Sequence, residues 1–334
     1  MDHRNLGRSG VTVSTVCLGT MMFGGPTPKA EAMSIVDHAR EHGVNFIDTA
    51  DGYVKGESER IVGEAIRATR SHWVLATKAG NRMDESQANT GGLSRRWLTQ
   101  ACDASLARLG TDWIDVYYLH LDDHSTSQHE TVAALGDLVR AGKIRYFGVS
   151  NFRGWRIASL VATCRELGVG PPIVCQPYYN LLNRMPEVEV LPACDQFHLG
   201  VAPYSPIARG VLTGKYAKDA VPADSRGARR DVRMMETEFR EESFAIAAKL
   251  KAHAEKTGRT PTQFALAWLW ANRIVTSIIA GPRTMAQWQD YVAAVGTAWS
   301  PEDEALVDSL VRPGHPSTAG FTDPRYPILG RRLA

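Results

Sequence analysis

The sequence predicts an α/β chain that closes into a (β/α)8 TIM barrel, and three observations lead there. Eight short runs rich in β-branched residues alternate with longer stretches of helical period. A strand followed by a helix, repeated, implies a parallel sheet, because parallel neighbours need a crossover; eight such units close a barrel. The competing doubly wound sheet announces itself with a G-x-G-x-x-G turn after its first strand. Here that turn reads Gly19-Thr20-Met21-Met22-Phe23-Gly24-Gly25.

The elements follow in order. Arg4–Ser14 carries Gly7-Arg8-Ser9-Gly10 between polar and apolar residues and is expected to form a short N-terminal hairpin that closes the barrel floor. Strands are expected at Thr15–Gly19, Val44–Asp48, Trp73–Thr77, Ile114–Leu119, Ile144–Val149, Ile173–Gln176, Leu199–Tyr204 and Val275–Ile279. Helices are expected at Lys29–His42, Glu57–Thr69, Arg95–Leu109, Gln128–Ala141, Arg153–Leu167, Glu187–Phe197, Ser243–Thr257 with Pro261–Asn272, and Thr284–Val295. Gly43, Gly110, Gly142, Gly168 and Gly258 stand just past helices, where a left-handed residue closes the last turn. Ser94 can cap the third helix, and Thr260-Pro261 is a cap followed by proline at the first helical position. The long loop after strand seven, Lys215–Glu242, and the proline-bearing tail from Val311 are expected to be irregular. No linker divides the chain, so residues 1–334 read as one domain.

Composition narrows the function. The formal net charge is +2, with 44% hydrophobic and 22% charged residues, which excludes a disordered chain and a dedicated nucleic-acid binder. No run of about 18 apolar residues occurs, and Met1–Asn5 lacks an apolar signal core. Five scattered cysteines without a C-x-x-C suit free thiols in a reducing compartment, so a soluble, cytoplasmic protein is expected. His120 and His124 are four apart, but on a segment leaving a strand for a loop, so no metal is expected. No G-x-S-x-G occurs for serine hydrolysis.

Barrels of this kind carry their chemistry at the C-terminal ends of the strands. Strand two ends at Asp48, with Tyr53 following; strand three ends at Lys78 and strand four at His120. Strand five ends in Ser150-Asn151, six at Gln176, seven at Tyr204, and eight in Gly281-Pro282-Arg283-Thr284. Singly, each has an ordinary structural explanation: an aspartate caps a turn, a lysine is solvated, a tyrosine packs, a histidine sits satisfied in a core. Jointly they suit proton donation to a carbonyl oxygen. A tyrosine at pKa ~10 exchanges protons poorly at neutral pH, and a nearby ammonium lowers that value. A carboxylate keeps the ammonium in place, and an imidazole steers the oxygen by hydrogen bonding.

These segments resemble the aldo-keto reductases over nearly the whole chain. The resemblance rests on Arg4–Gly10, Gly43–Tyr53, Gly56-Glu57-Ser58-Glu59, Leu75–Lys78, Leu119-His120, Gly148–Phe152, Gln176–Leu182, Tyr204–Gly210 and Ile279–Thr284. It implies a barrel reductase that uses NADP(H) without a Rossmann domain and acts on a small-molecule carbonyl or alcohol. The family's tetrad falls on Asp48, Tyr53, Lys78 and His120, with Tyr53 as general acid. Lys78 lowers its pKa, Asp48 holds Lys78, and His120 orients the carbonyl. Ser150, Asn151 and Gln176 match positions that hold the nicotinamide carboxamide, and Tyr204 the aromatic that stacks on its ring. Ser205, Pro206, Ile207, Arg209 and Gly210 lie along the pyrophosphate, with Lys215 and Arg226 as further contacts. Gly281, Arg283, Gln287 and Asp290 match the adenosine end. Arg283 can pair with a 2′-phosphate, and the helix opened by Thr284 suits a phosphate at its N-terminus.

Tyr291 stands where many relatives have asparagine, which suggests stacking against adenine. Met22 and Phe23 are expected at the substrate pocket, with Phe321 and Tyr326 of the tail from Gly314 to Ala334 as lids. Some members of the family serve instead as cofactor-binding accessory subunits of membrane channels, with slow catalysis. The short N-terminal stretch favours a free enzyme.

Overall fold

A computed structural model describes residues 1–217 and 221–328 of the chain. Within the expected loop, residues 218–220, and within the expected tail, residues 329–334, lie outside the described residues. The strands are β1 (His3–Asn5), β2 (Thr12–Ser14), β3 (Val16–Gly19), β4 (Phe46–Asp48), β5 (Val74–Ala79), β6 (Ile114–Leu119), β7 (Ile144–Ser150), β8 (Val174–Gln176), β9 (Gly200–Val201) and β10 (Ile278–Ala280). The α-helices are α1 (Lys29–Glu41), α2 (Glu57–Ile66), α3 (Arg95–Leu109), α4 (Gln128–Arg140), α5 (Gly154–Glu166), α6 (Val190–Phe197), α7 (Val232–Thr237), α8 (Glu241–Lys256), α9 (Pro261–Ala271), α10 (Met285–Ala293) and α11 (Pro301–Leu310).

Eight strands form one parallel sheet in the order β10-β3-β4-β5-β6-β7-β8-β9. Its edges meet through a parallel bridge between Val201 and Val275, an N–H of Thr276 on the Val201 carbonyl at 2.8 Å, and an N–H of Ile279 on Pro203 at 3.0 Å. The sheet is thus the barrel of the (β/α)8 fold. Each expected strand is present; most are shorter than expected, while β5, β7 and β10 run one or two residues past their expected ends.

The chain forms two compact units. The first comprises Met1–Pro177, Glu189–Tyr204 and Arg273–Val292; the second comprises Tyr178–Val188, Ser205–Asn272 and Ala293–Ala334. All eight barrel strands lie in the first unit, where α1 to α6 pack neighbour on neighbour. Its interior is filled by Leu6, Val13, Cys17, Phe46, Ala76, Val116, Tyr118, Val174, Ala202 and Ile279, so it is a packed core. The N-terminal piece is the expected antiparallel hairpin, β1 on β2. It closes the floor: Arg8 donates its N–H to the His198 carbonyl at 3.1 Å, and Leu6 is wholly buried. Gly7 turns there at φ +62°, and a Cβ on it would sit 2.4 Å from the His198 oxygen. Only glycine fits that approach.

In the second unit, α8 packs on α9. Two helices here were not expected. Inside the long loop, α7 is capped by Asp231, whose side chain accepts the Met234 N–H. Near the end of the chain, α11 carries a capping box of Ser300 and Asp303 with Pro301 at its first position. The tail after Val311 is irregular as expected over the described residues. No helix among the described residues is long and apolar enough to cross a membrane.

Leu6→Ala is expected to lower the unfolding free energy by ~2–5 kcal/mol, the range for a buried leucine that leaves a cavity. Urea denaturation measures it.

Candidate functional site

The C-terminal ends of β4, β5 and β6 bring four side chains of the first unit together. Lys78, wholly buried near the end of β5, is the centre. Its Nζ donates to Asp48 Oδ1 at 2.5 Å, to the Thr49 carbonyl at 2.8 Å and to the Tyr53 hydroxyl at 3.1 Å. An ammonium has three protons, and these partners account for all of them. Burial works against the Lys78 charge, but the Asp48 carboxylate and the phenol outweigh it and hold the ammonium above its ordinary range. Burial also pushes the Asp48 carboxyl up, and Lys78 and the Gln176 amide pull it back.

Tyr53 opens a short 3-10 turn, Tyr53–Gly56, whose backbone is bent out of the helical region. Val54 has φ 47° and Lys55 φ 54°, the left-handed region, which a β-branched residue rarely adopts. Such strain costs ~1–3 kcal/mol per residue and is borne by the surrounding structure. Lys78 acts on the Tyr53 phenol in the expected, lowering direction, but burial is the larger influence. Burial pushes the phenol up, and although Lys78 pulls it down, the net direction is above the ordinary value. Tyr53 therefore holds its proton firmly at neutral pH.

His120 follows β6, its ring 6.0 Å from the Tyr53 ring and edge-on at 83°. The Asn81 amide nitrogen lies 2.8 Å from His120 Nδ1. An amide nitrogen only donates, so Nδ1 accepts, and a neutral ring carries its proton on Nε2. Sequence reasoning missed Asn81; its place three residues after Lys78, on the loop leaving β5, was the available signal.

A second hydrogen-bonded set continues around the barrel. Gln176 donates to Asp48 Oδ2 at 3.0 Å, and the Ser150 hydroxyl donates to the Gln176 carbonyl at 2.9 Å. The Asn151 amide donates to the His120 carbonyl at 2.9 Å and to Ser150 Oγ at 3.0 Å. The Tyr204 hydroxyl donates to Asn151 Oδ1 at 2.9 Å, fixing a half-buried ring. The structure thus joins Asp48, Tyr53, Lys78, His120, Ser150, Asn151, Gln176 and Tyr204 into one neighbourhood.

The loop past His120 is held by its own contacts. Arg156 is bidentate on Asp122 at 2.7–2.9 Å, and His124 lies 3.3 Å from the same carboxylate. Phe23 is wholly buried and Met22 nearly so, whereas Met21 of the same loop after β3 is exposed. Tyr291 is also buried at 5% exposure, so its ring packs inside the unit and does not present a face for stacking.

Gly281 follows β10, and Arg283, Gln287 and the exposed Asp290 lie at or on α10. The Gln287 side chain accepts the Arg283 N–H at 2.8 Å. The Met285 N–H, at the start of α10, donates to the Glu31 carboxylate at 2.6 Å. A carboxylate thus already occupies one of the N–H groups at this helix N-terminus.

The remaining expected residues belong to the second unit. Ser205, Ala208, Arg209 and Gly210 all have positive φ, so Ser205–Gly210 is a tightly bent segment. Pro206 is buried and Ile207 half-buried. Arg209 donates to the wholly buried Glu238 at 3.0 Å. Lys215 is exposed, its Nζ 5.3 Å from the Tyr216 ring centre, and Arg226 lies 3.5 Å from Asp231. Phe321 lies under the Arg240 guanidinium at 3.8 Å, and Tyr326 lies 5.8 Å from that of Arg233.

Comparison with known proteins places this geometry. The profile of the Aldo/keto reductase family matches residues 15–312. A probable voltage-gated potassium channel subunit beta of Arabidopsis thaliana is 38% identical over 301 residues, 88% of this chain and 91% of that protein. The uncharacterized oxidoreductase YrpG of Bacillus subtilis is 35% identical over 338 residues, 98% of this chain and 99% of that protein. The versiconal hemiacetal acetate reductase of Aspergillus parasiticus is 32% identical over 344 residues, 94% of this chain and 99% of that protein. The chain belongs to the aldo/keto reductase family of oxidoreductases.

Asn81→Ala is expected to release the tautomer of His120 and populate both neutral forms. The nitrogen chemical shifts of the ring report it, and unchanged shifts would remove Asn81 from its role.

Proposed function

We propose that the protein is an NADP(H)-dependent carbonyl reductase with Tyr53 as the proton donor. One observation carries the reading: the Tyr53 hydroxyl lies 3.1 Å from an ammonium that is itself clamped to a buried carboxylate, with the His120 ring beside it. Tyr53 delivers its proton to the carbonyl oxygen. Lys78 stabilises the phenolate left behind, and Asp48 keeps Lys78 charged and in place. His120, protonated on Nε2, donates a hydrogen bond that orients the same oxygen. In the oxidation direction the Tyr53 phenolate takes the proton from the alcohol.

The donor set fits a nicotinamide. A carboxamide needs donors and acceptors side by side, and Ser150, Asn151 and Gln176 supply hydroxyl and amide groups at adjoining strand ends, with the Tyr204 ring as a flat face. When bound, the nicotinamide supplies the hydride that the side chains cannot. The adenosine end rests on Gly281, Arg283, Gln287 and Asp290, and a guanidinium at 283 favours a 2′-phosphate over a bare ribose. We place Met22 with the exposed Met21 beside the substrate, and the protein in the cytoplasm. A second reading, a cofactor-binding accessory protein with slow catalysis, is favoured by the similarity to potassium channel beta subunits. Steady turnover of simple aldehydes decides for the enzyme.

Tyr53→Phe is expected to reduce carbonyl turnover by about a hundredfold or more while NADPH still quenches tryptophan fluorescence with nearly the parent affinity. Equal turnover in variant and parent would sink the proton-donor assignment. Arg283→Ala is expected to weaken NADPH by roughly tenfold or more and NADH little, the scale of one charged hydrogen bond. A uniform loss for both nucleotides, read in the same titration, removes the 2′-phosphate contact.

A further inference from the structure

Behind the tetrad lies a group of ionisable side chains that proton transfer, as described, does not use. Asp51 is its centre. The residue is 1% exposed, and among the described residues no side chain hydrogen-bonds either of its buried carboxyl oxygens, which have only the adjacent Gly52 amide near them. Its N–H donates to the Lys78 carbonyl at 3.1 Å, and it stands two residues before Tyr53, so the backbone ties it to both. Titratable groups face it from each neighbouring element: Tyr53 from the following turn, Lys78 on β5, Glu59 on α2, Arg108 on α3 and Tyr117 on β6.

The two cations are already committed. Lys78 holds Asp48, and Arg108 Nε lies 2.5 Å from Glu59 Oε2, while Glu59 Oε1 accepts the Thr77 hydroxyl at 2.6 Å. Asp51 is therefore a third carboxyl facing two cations, with no cation of its own. A buried carboxyl so placed resists ionisation, because its charge would have neither solvent nor a counter-charge of its own.

We propose that Asp51 is a positioning residue for the proton transfer: by keeping or losing its own proton, it sets the pH range over which Tyr53 retains the proton it delivers. This rests on the reductase reading of the same site. With Asp51 neutral, the phenol ionises more readily under the pull of Lys78. With Asp51 ionised, a second negative charge beside the phenol holds its proton in place. Burial, then the Glu59 carboxylate, push Asp51 up to about 7, against the Gly52 amide, Arg108 and Lys78, so the change falls in the neutral range.

Asp51→Asn removes this ionisation and keeps the shape. Infrared difference spectra, parent minus D51N, are expected to show a protonated carboxyl band at about pH 5 that is gone by about pH 9. The stability that Asp51 contributes is fully present below ~4, the unfolded value, and is lost as pH rises through about 7. The melting temperature of D51N is therefore expected to gain on the parent across that interval, whereas a purely structural side chain gives one difference at every pH. In carbonyl reduction, the alkaline limb of the kcat profile is expected to move down by about half a pH unit in D51N, roughly a threefold change in proton affinity, with KM for NADPH unchanged. Glu59→Gln, which leaves Asp51 in place, is expected to shift the loss of the infrared band to lower pH and covers the case of a D51N that does not fold. A carboxyl band absent at every pH, or coincident alkaline limbs in an active parent and variant, overturns the role of Asp51. A parent without reductase turnover at any pH removes the reductase reading and this inference with it, an outcome visible before any variant is made.

Discussion

A lysine with no exposed surface organises this barrel. Desolvating an ammonium costs several kcal/mol unless opposite charge and hydrogen bonds meet it on every proton. At Lys78 they do, through Asp48, the Thr49 carbonyl and the Tyr53 hydroxyl. Removing any of the three would leave a buried charge short of a partner. Tyr53 is thus held in place as the third partner of a cation that must be satisfied. The strained turn at Val54 and Lys55 is the local consequence, because the chain must bend sharply to bring that phenol back over β5.

The same constraint spreads outward. Asp48 has a second oxygen, and Gln176 from β8, across the barrel, satisfies it. Gln176 in turn receives Ser150, Ser150 receives Asn151, and Asn151 receives Tyr204. A single run of hydrogen bonds therefore leads from Lys78 through Asp48 and Gln176 to Ser150, Asn151 and Tyr204. The half-buried Arg108 and the buried Glu59 form a second ion pair, which Thr77 joins. Asp51 is the carboxyl that neither cation claims.

Much of this was legible in residue order. Eight strand and helix units, glycine stops and a hairpin with a two-glycine turn are local signals, and each element they predicted is present. The Ser300-Pro301 start of α11 was an equally local signal, and the box with Asp303 could have been read from it. The short α7 was hidden because six residues carry too little periodicity to separate from a loop. Within the site, strand-end position pointed to Asp48, Lys78 and His120, and the family resemblance added Tyr53, which stands on the turn after β4. Asn81 was missed because nothing local distinguishes an asparagine that sets a tautomer from one in a polar turn.

The sequence by itself determined the barrel, the family and the positions of the tetrad. These follow from pattern, spacing and the strand ends at which the polar residues stand, all of which are properties of order along the chain. Only the tertiary structure decided the electrical state of the site. Whether Tyr53 lies above or below its ordinary pKa, which nitrogen of His120 carries a proton, whether an N–H at the start of α10 meets Glu31, and whether Asp51 has a counter-charge all depend on burial and distance between residues remote in sequence. Burial and Coulomb interaction act through space, and the chain order does not record them.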